Sequence, residues 1–135
     1  PYIDPYRLKD NLDRRKIEGC VFRVHNFIPA FNKYKDEHCN GIQIHVTDPA
    51  RYYPVRTALE LFDAIIETSP EGSLQFNLPP YEYEDNLMPF DILSGDSIMR
   101  QTLLNRLSLK EETERWKSEI DEFLREFRQI SVYPD

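Results

Sequence analysis

Glycine is scarce in this sequence, and its copies are too widely spaced to form a phosphate-binding loop. The four glycines are Gly19, Gly41, Gly72 and Gly95, and each is separated from the next by more than twenty residues. A glycine-rich nucleotide-binding loop concentrates its glycines within about six to eight residues, so that backbone amides can approach the phosphates. The spacing therefore excludes nucleotide binding of that kind.

Cysteine and histidine are also few, and their spacing matches no zinc motif. Cys20 and Cys39 do not form a Cys-x-x-Cys pair, and no two histidines are spaced as His-x-x-x-His. Geometry alone leaves open a site built from His25, His38, Cys39 and His45, although a solvated loop is the simpler interpretation of His38. Two thiols are too few for a disulfide scaffold, so we expect both to be reduced and structural. We predict neither a metal nor a cofactor.

The sequence has no long apolar run and no excess of basic charge. No stretch approaches the roughly 18 apolar residues of a membrane span. Lys and Arg number 17 against 24 Asp and Glu, which gives a net charge of −7. An acidic surface opposes the phosphate neutralisation that nucleic-acid binding requires. We therefore expect neither a membrane span nor a nucleic-acid partner.

The length of 135 residues is typical of one domain and is large enough to bury a core without a metal or a disulfide. The first residue is Pro1 rather than Met, and charged residues begin at Asp4, so no signal peptide or anchor is visible. We expect either a processed chain or a piece of a longer one.

Local patterns in the first half predict two helices and two strands. Asp4 before Pro5 is typical of a helix N-terminus. Alternating apolar residues predict strands, and an apolar stripe at helical spacing predicts a helix that covers the sheet. The predicted elements are a helix from Pro5 to about Arg15, strands over 20–27 and 41–48, and a helix over 54–67.

The second half is predicted to be mostly helical. Ser108 followed by Glu111 is a capping-box pattern ahead of the longest helix, whose apolar face includes Trp116 and Phe123. Together the elements predict an α+β fold, in which a small mixed or antiparallel sheet packs against about four helices and the last helix is long. The remaining predictions are an extended piece at 74–76, a polar aromatic loop at 81–84, a helical turn at 87–93, a helix from Asp96 to about Asn105, a last helix ending near Gln129, and an edge strand over 130–133.

The end of the second strand is one candidate binding surface. Gln43, His45 and Thr47 share the polar face of that strand, and Asp48 and Pro49 end it. Side chains of these types can bind a polar ligand. The competing interpretation, which composition alone favours, is that Asp48 caps a turn while His45 hydrogen-bonds a loop carbonyl.

Arg56 is more informative, because a cation in the first turn of a helix opposes the helix dipole. Its charge requires compensation. Asp48 can supply it through an ion pair, and an anionic ligand such as a carboxylate is the functional alternative. The residues by themselves favour the ion pair.

Tyrosines and acids complete the inventory of candidate residues. Eight tyrosines, clustered at Tyr52-Tyr53 and at Tyr81 and Tyr83, give flat amphipathic surfaces that suit sugars or protein partners. Glycosidase chemistry needs two carboxyl groups roughly 5 to 10 Å apart, and the spacing of the 24 acids singles out no pair. No residue is identified as a nucleophile, so the residues alone do not demonstrate an enzyme.

A set of motifs extends over nearly the whole chain. They are Pro29-Ala30-Phe31, Lys33-Tyr34, Cys39-Asn40-Gly41-Ile42-Gln43-Ile44-His45-Val46-Thr47-Asp48, Pro54-Val55-Arg56-Thr57, Pro80-Tyr81-Glu82, Phe90-Asp91-Ile92-Leu93-Ser94-Gly95, and the ending Trp116 … Phe123 … Arg128 … Tyr133. In combination they are specific. They resemble the C-terminal region of the NamZ-type exo-β-N-acetylmuramidases, a bacterial family long classed as a domain of unknown function.

The resemblance implies a role in cell-wall turnover and recycling. Full-length relatives of this kind cleave N-acetylmuramic acid from the non-reducing ends of peptidoglycan fragments, with catalytic carboxylates on an N-terminal Rossmann-like domain. Residues 1–135 resemble only the smaller C-terminal domain. The implied substrate cleft lies between the two domains, so this domain is expected to be inactive alone. Export to the periplasm or outside the cell follows from the cell-wall substrate.

The resemblance also changes the interpretation of the candidate residues. Arg56, His45 and Asp48 stand at matching motif positions, and N-acetylmuramic acid carries a lactyl carboxylate that an arginine can bind through two hydrogen bonds. We therefore predict substrate contacts from Arg56, His45, Asp48, Gln43 and Tyr81, and we assign no catalytic residue to this chain.

The main hypothesis is thus a C-terminal domain that shapes the substrate cleft of a muramidase. Its predicted partners are the N-terminal catalytic domain of the same protein and a muropeptide or another N-acetylmuramic acid sugar. Two alternatives stay open. One is an autonomous carbohydrate- or peptide-binding module that uses the tyrosine loops and the polar strand face. The other is a scaffold whose apolar surface docks a partner domain without binding a ligand.

Overall fold

A computed structural model describes residues 1–132 and places them in a two-stranded antiparallel sheet with five helices. The predicted α+β class and the long C-terminal helix are confirmed. No helix in the described part of the chain has both the length and the apolarity needed to cross a bilayer. The elements in chain order are α1 (Pro5–Arg15), β1 (Cys20–Phe27), β2 (Cys39–Val46), α2 (Pro54–Thr68), α3 (Pro89–Ser94), α4 (Ile98–Leu104) and α5 (Leu109–Ile130).

The first helix begins where its capping residue predicts. The Asp4 carboxylate accepts hydrogen bonds from the amides of Tyr6 (3.0 Å) and Arg7 (3.1 Å), and Pro5 occupies the first turn, where its missing N–H costs nothing. The helix ends at Lys16, which adopts the left-handed conformation. Its buried side chains include Leu8 and Leu12, so one face of α1 enters the core.

The two strands pair over their whole length, from Cys20 opposite Val46 to Phe27 opposite Cys39. Residues directly opposite each other share a face of the sheet. Phe22 and Ile44 therefore lie on the inner face, toward the helices, and Arg23 and Gln43 lie on the outer face. On that outer face Val21, Arg23, His25, Gln43 and His45 are exposed, whereas Cys39, opposite Phe27 at one end of the ladder, is buried.

The first core fills the space between the sheet and two helices. It is built from Leu8, Leu12, Cys20, Phe22 and Ala64. α1 lies directly against both strands, and α2 packs against α1 and reaches the same core through Ala64. The prediction that the second helix covers the sheet is therefore wrong in detail, because α1 occupies that position.

The second core joins α2 to the helices that follow it. Leu59, Met99 and Leu103 are buried there. Phe90 packs edge-on against Phe62 and Phe76, with ring centroids 5.6 and 4.7 Å apart. Since Leu59 and Ala64 both lie on α2, this helix is the element common to the two cores.

The predicted edge strand does not form. The segment 74–76, predicted as a short extended piece, joins no strand or helix, and Phe76 packs against the second core. The edge strand over 130–133 is wrong because α5 continues through Ile130, and the amide of Ser131 still donates a helical hydrogen bond to the carbonyl of Phe127 (2.9 Å). Val132 belongs to no strand, and Tyr133 lies outside the described residues.

Candidate functional site

The N-terminus of α2 is the best-supported candidate site. Pro54 occupies the first turn, and Tyr53, at the N-cap position, provides no side-chain hydrogen bond to the free amides. The first turn also contains no acid. The positive end of the helix dipole is therefore left without the compensation that an Asp or Ser cap gives.

Arg56 adds a full positive charge at this uncapped helix end. The predicted ion pair with Asp48 does not form; the Asp48 carboxylate accepts the amide of Ala50 (3.0 Å) and caps the turn after β2. Within residues 1–132 the Arg56 guanidinium forms no ion pair at all, and the residue is exposed. Of the two sources of compensation considered from the sequence, the ion pair with Asp48 is thereby excluded within the described residues.

Arg56 lines a polar pocket of about 240 Å³ between the end of α1 and the start of α2. Four cations and two acids contribute to its wall: Arg15, Lys16, Arg51, Arg56, Glu18 and Glu60. The pocket is thus locally positive in a chain whose net charge is −7. Tyr53 and Thr57 complete the polar lining.

The other two arginines of this pocket are already neutralised. The Arg15 guanidinium donates to Glu60 (2.8 Å), Asp63 (2.7 Å) and Glu67 (2.7 Å), and Arg51 pairs with Glu18 (2.5 Å). Lys16 resembles Arg56 in forming no ion pair with the rest of residues 1–132. Arg56 and Lys16 are therefore the cations with charge left for an anionic ligand.

Gln43 and His45 lie elsewhere, on the outer face of the sheet. Both are exposed, as the alternation of the second strand predicts. Their direct neighbours across the strand pair are Arg23, opposite Gln43, and Val21, opposite His45. Because α1 covers the inner face and α2 packs behind it, the polar outer face and the Arg56 pocket lie on different layers of the domain.

The outer face also contains Arg23, which the sequence did not single out, and His25, which was considered only as a possible metal ligand. Arg23 and His25 alternate with the buried residues of β1, and they lie beside Gln43 in the sheet. The His25 ring stacks on Phe27 with centroids 6.1 Å apart. The period-2 pattern of β1 was the signal for both residues, but its polar positions were not used.

Tyr81 lies in a tight turn that precedes α3. The amide of Tyr81 donates to the carbonyl of Glu84 (2.9 Å), and the amide of Glu84 donates back to the carbonyl of Tyr81 (3.0 Å). Hydrogen bonds from the amides of Asn86 and Leu87 lower the pKa of the Glu84 carboxyl. Tyr81 is half-buried, whereas Tyr83 is fully exposed. Neither tyrosine lines the polar pocket.

The five predicted contact residues therefore occupy four places: the outer face (Gln43 and His45), the turn after β2 (Asp48), the start of α2 (Arg56) and the loop before α3 (Tyr81). No metal site replaces them, because the described residues contain no group of three or more His, Cys, Asp or Glu able to hold an ion. Cys20 and Cys39 are buried and form no disulfide, as expected. Burial raises the pKa of the Cys20 thiol, and a hydrogen bond with Thr57 partly opposes that effect.

An apolar groove opens beside the polar pocket. It has a volume of about 750 Å³ and lies between α2, α3 and the start of α5. Its walls include Val55, Phe62, Phe90, Leu93, Trp116 and Phe123. Val55 and Arg56 are consecutive on α2 and also share a smaller concave surface of about 420 Å³ with Trp116 and Lys117. The groove and the Arg56 pocket are thus neighbouring features of one side of the domain.

Comparison with known proteins identifies the family. The family described as exo-β-N-acetylmuramidase NamZ, C-terminal, matches residues 1–133. This chain belongs to the NamZ C-terminal family. The resemblance predicted from the motifs is confirmed.

Two relatives place the NamZ C-terminal domain within longer proteins. The chain is 25% identical over 133 residues to the peptidoglycan β-N-acetylmuramidase NamZ of Bacillus subtilis strain 168. The matched region is 98% of this chain and 30% of that relative. Its fold is also similar to the crystal structure of a DUF1343 family protein from Bacteroides fragilis NCTC 9343, with a TM-score of 0.71 and 20% sequence identity. The match covers 98% of this chain and 34% of the Bacteroides fragilis chain. The second likeness supports the fold.

The acids around the concave surfaces of this NamZ C-terminal domain are all engaged in ion pairs. Arg115 holds Asp96 (3.0 Å) and Glu119 beside the groove, and Glu114 pairs with Lys117 (3.3 Å). Glu18 and Glu60, in the polar pocket, are bound by the arginines described above. Glycosidase chemistry needs two carboxyl groups that face the scissile bond, and each of these acids is instead held by an arginine or a lysine.

Proposed function

We propose that this domain forms one wall of the substrate cleft of a peptidoglycan β-N-acetylmuramidase and supplies substrate contacts but no reactive carboxylate. The observation that carries the proposal is the uncompensated charge of Arg56 at the uncapped end of α2, in a domain of the NamZ family. The curated relative is a bacterial peptidoglycan β-N-acetylmuramidase. The reactive carboxylates and the opposite wall would lie on a companion N-terminal domain, and the whole protein would act on exported cell-wall material.

The chemistry of N-acetylmuramic acid fits this pocket. Its lactyl group carries a carboxylate, which the guanidinium of Arg56 can bind through two parallel hydrogen bonds. The free amides of the first turn of α2 and the charge of Lys16 favour an anion at the same place. Arg56 would therefore distinguish N-acetylmuramic acid from N-acetylglucosamine, which lacks the lactyl group.

The ion pairs of the acids support the absence of a catalytic residue in this chain. We expect the isolated 135-residue chain to release no chromophore from a chromogenic N-acetylmuramic acid glycoside. Measurable turnover that disappears on Asp96→Asn or Glu60→Gln would overturn the proposal, because it would place a reactive acid inside this domain.

The role of Arg56 is tested in the longer protein that carries both domains. Arg56→Ala should raise the KM for an N-acetylmuramic acid substrate by roughly 10- to 100-fold, since a charge-assisted hydrogen bond contributes about 1.5 to 3 kcal/mol. A substrate without the lactyl carboxylate should be affected much less. Arg7→Ala is the matched control, because Arg7 is an exposed arginine on α1 outside the pocket. An equal loss on both substrates would contradict the assignment.

A second candidate function is an autonomous sugar- or peptide-binding module. It is favoured by the uncovered outer face of the sheet, where Arg23, His25, Gln43 and His45 are all exposed, and by the fully exposed ring of Tyr83. Calorimetric titration of the isolated chain with muropeptides separates the two functions. Saturable binding lost on replacing Tyr81 and Tyr83 would favour the module, whereas a cleft wall should bind weakly by itself.

A further inference from the structure

The second half of α5 extends away from the body of the domain. Leu109 and Trp116 still pack against the second core, but every residue from Lys117 to Ile130 is exposed. The exposed residues include large apolar side chains: Phe123 is 63% exposed and Ile130 is 78% exposed. The rings of Phe123 and Phe127 stack on each other, with centroids 6.0 Å apart. An apolar surface of this kind marks an interaction site.

The spacing of these apolar residues indicates the kind of surface that covers them. Starting at Leu109, the positions Thr113, Trp116, Ile120, Phe123, Phe127 and Ile130 follow at alternating intervals of four and three residues. This heptad pattern keeps a straight seam along a helix and packs by insertion of side chains into a facing helix. We name the exposed part, Ile120, Phe123, Phe127 and Ile130, the α5 seam. Its geometry favours a helix as partner.

Charged residues border the seam unequally. Glu119 and Glu126 lie on one side, directly before Ile120 and Phe127, and Lys117 and Leu124 lie on the other, directly after Trp116 and Phe123. In an antiparallel pair of α5 helices the glutamate side of one copy would face the glutamate side of the other, and the two would repel. In a parallel pair Glu119 would face the apolar Leu124 of the other copy. A second copy, which also carries a charge of −7, is therefore a poor occupant.

We propose that the α5 seam is the docking surface for the companion domain, which presents to it an apolar helix bordered by basic residues. The proposal rests on the two-domain arrangement of the proposed function. It is supported by the lengths of the relatives, since this domain spans 30% of one and 34% of the other. It is also supported by continuity, because the seam runs into the apolar groove at Ile120 and Phe123. Docking there would close the groove and bring the companion domain beside Arg56.

The test starts from the intact two-domain protein of the proposed function, in which a protease site separates the companion domain, called the upstream region, from this domain. The protein is cut after folding, and calorimetry measures the binding of the two released parts. Phe123→Asp should weaken binding at least about 30-fold, the scale of an interface hot spot. Ser118→Asp adds the same charge on the opposite side of α5 and should change binding less than about 3-fold, as expected for a position outside the interface. Both positions are exposed, so both variants should keep the far-UV circular dichroism of the parent chain.

Charge reversal tests the basic border of the partner. Glu126→Lys should weaken binding, and Glu122→Lys, farther from the seam on the same helix, should have little effect. The proposal is overturned if the upstream region does not bind, if Phe123→Asp and Ser118→Asp act equally, or if sedimentation shows that the isolated chain dimerises through the seam. Binding without release of N-acetylmuramic acid by the mixture would refute only the proposed function. Activity of the uncut protein without binding of the fragments would refute only the docking.

Discussion

Among the four glycines, Gly19 has the least room for a side chain. Its φ is +76°, and a Cβ atom built there would lie 2.5 Å from the Tyr52 amide nitrogen and 2.7 Å from the Asp48 carbonyl oxygen. The carbonyl of Gly19 accepts hydrogen bonds from the amides of Thr47 (2.9 Å) and Asp48 (3.2 Å). The connection between α1 and β1 is thereby locked to the turn that leads into α2.

Gly19→Ala should therefore destabilise the domain by about 3 kcal/mol, combining the cost of a left-handed alanine with displacement of the 48–52 turn. Gly72→Ala is the matched control, because Gly72 has nearly the same φ, +74°, but open space around its Cα. That control should cost only about 1 kcal/mol. Urea denaturation of both variants checks the difference. Equal losses of stability would contradict the contact argument.

The sequence predicts the hydrogen bonds of individual side chains well where the bonding partner is only a few residues away in the chain. The Asp4 cap is confirmed, and so is the Ser108 cap, whose hydroxyl accepts the amide of Glu111 (3.3 Å). It fails for Arg56, whose predicted partner Asp48 instead accepts the amide of Ala50 in the turn after β2. Such a choice between two partners depends on the conformation of the turn, which no spacing pattern encodes.

At the scale of elements, α1 is fastened to α2 by charge as well as by the core. Arg15, near the end of α1, reaches three acids on successive turns of α2: Glu60, Asp63 and Glu67. Arg106, just after α4, also pairs with Asp63 and Glu67. Removing a half-buried arginine from such a cluster leaves like charges facing one another. The cluster therefore links three helices.

This cluster makes stability depend on acid. Burial raises the pKa of Glu67, but hydrogen bonding to Asn11 and the charges of Arg15 and Arg106 outweigh it and lower that pKa below 4.5. A carboxyl group whose pKa is lowered by folding stabilises the native state above its unfolded pKa, and the contribution is lost as pH falls through the folded pKa. Glu67→Gln should therefore flatten the fall in the free energy of unfolding between about pH 5 and pH 3.

Chemical denaturation across that pH range provides the measurement. Glu71→Gln serves as the control, since Glu71 is exposed in the turn after α2 and forms no ion pair with the other described residues. It should leave the pH dependence unchanged. A pH profile of Glu67→Gln identical to that of the parent would show that the cluster contributes nothing.

The ends of a helix or strand are predicted correctly where its own sequence carries the whole periodic pattern. β1 and α2 match their predicted bounds to within one residue, because each has a complete periodic pattern. β2 is shifted from the predicted 41–48 to Cys39–Val46. It begins earlier because Phe27 and Asn26 pair with Cys39 and Asn40, and it ends earlier because Thr47 and Asp48 donate their amides to the Gly19 carbonyl in the turn after the strand. The strand predicted over 130–133 is wrong because α5 continues through Ile130, so the alternating apolar residues begin inside a helix.

At the scale of the whole molecule, the domain is stable around two cores, and the far half of α5 belongs to neither. Deleting residues 119–135 should change the free energy of unfolding by less than about 1 kcal/mol, as for changes at exposed positions. Deleting residues 109–135 also removes Leu109 and Trp116 from the second core and should destabilise the domain severely. Far-UV circular dichroism during urea denaturation measures both. A large loss in the shorter deletion would show that the seam packs within this domain.

α2 has one further consequence. It carries Arg56 at its start, Val55 and Phe62 in the wall of the groove, and side chains of both cores along its length. A saccharide held by Arg56 and a protein seated in the groove would therefore act on the same rigid rod. If binding of the saccharide shifts α2, the affinity for the docked protein changes by some factor. Linkage then requires the docked protein to change the affinity for the saccharide by the same factor.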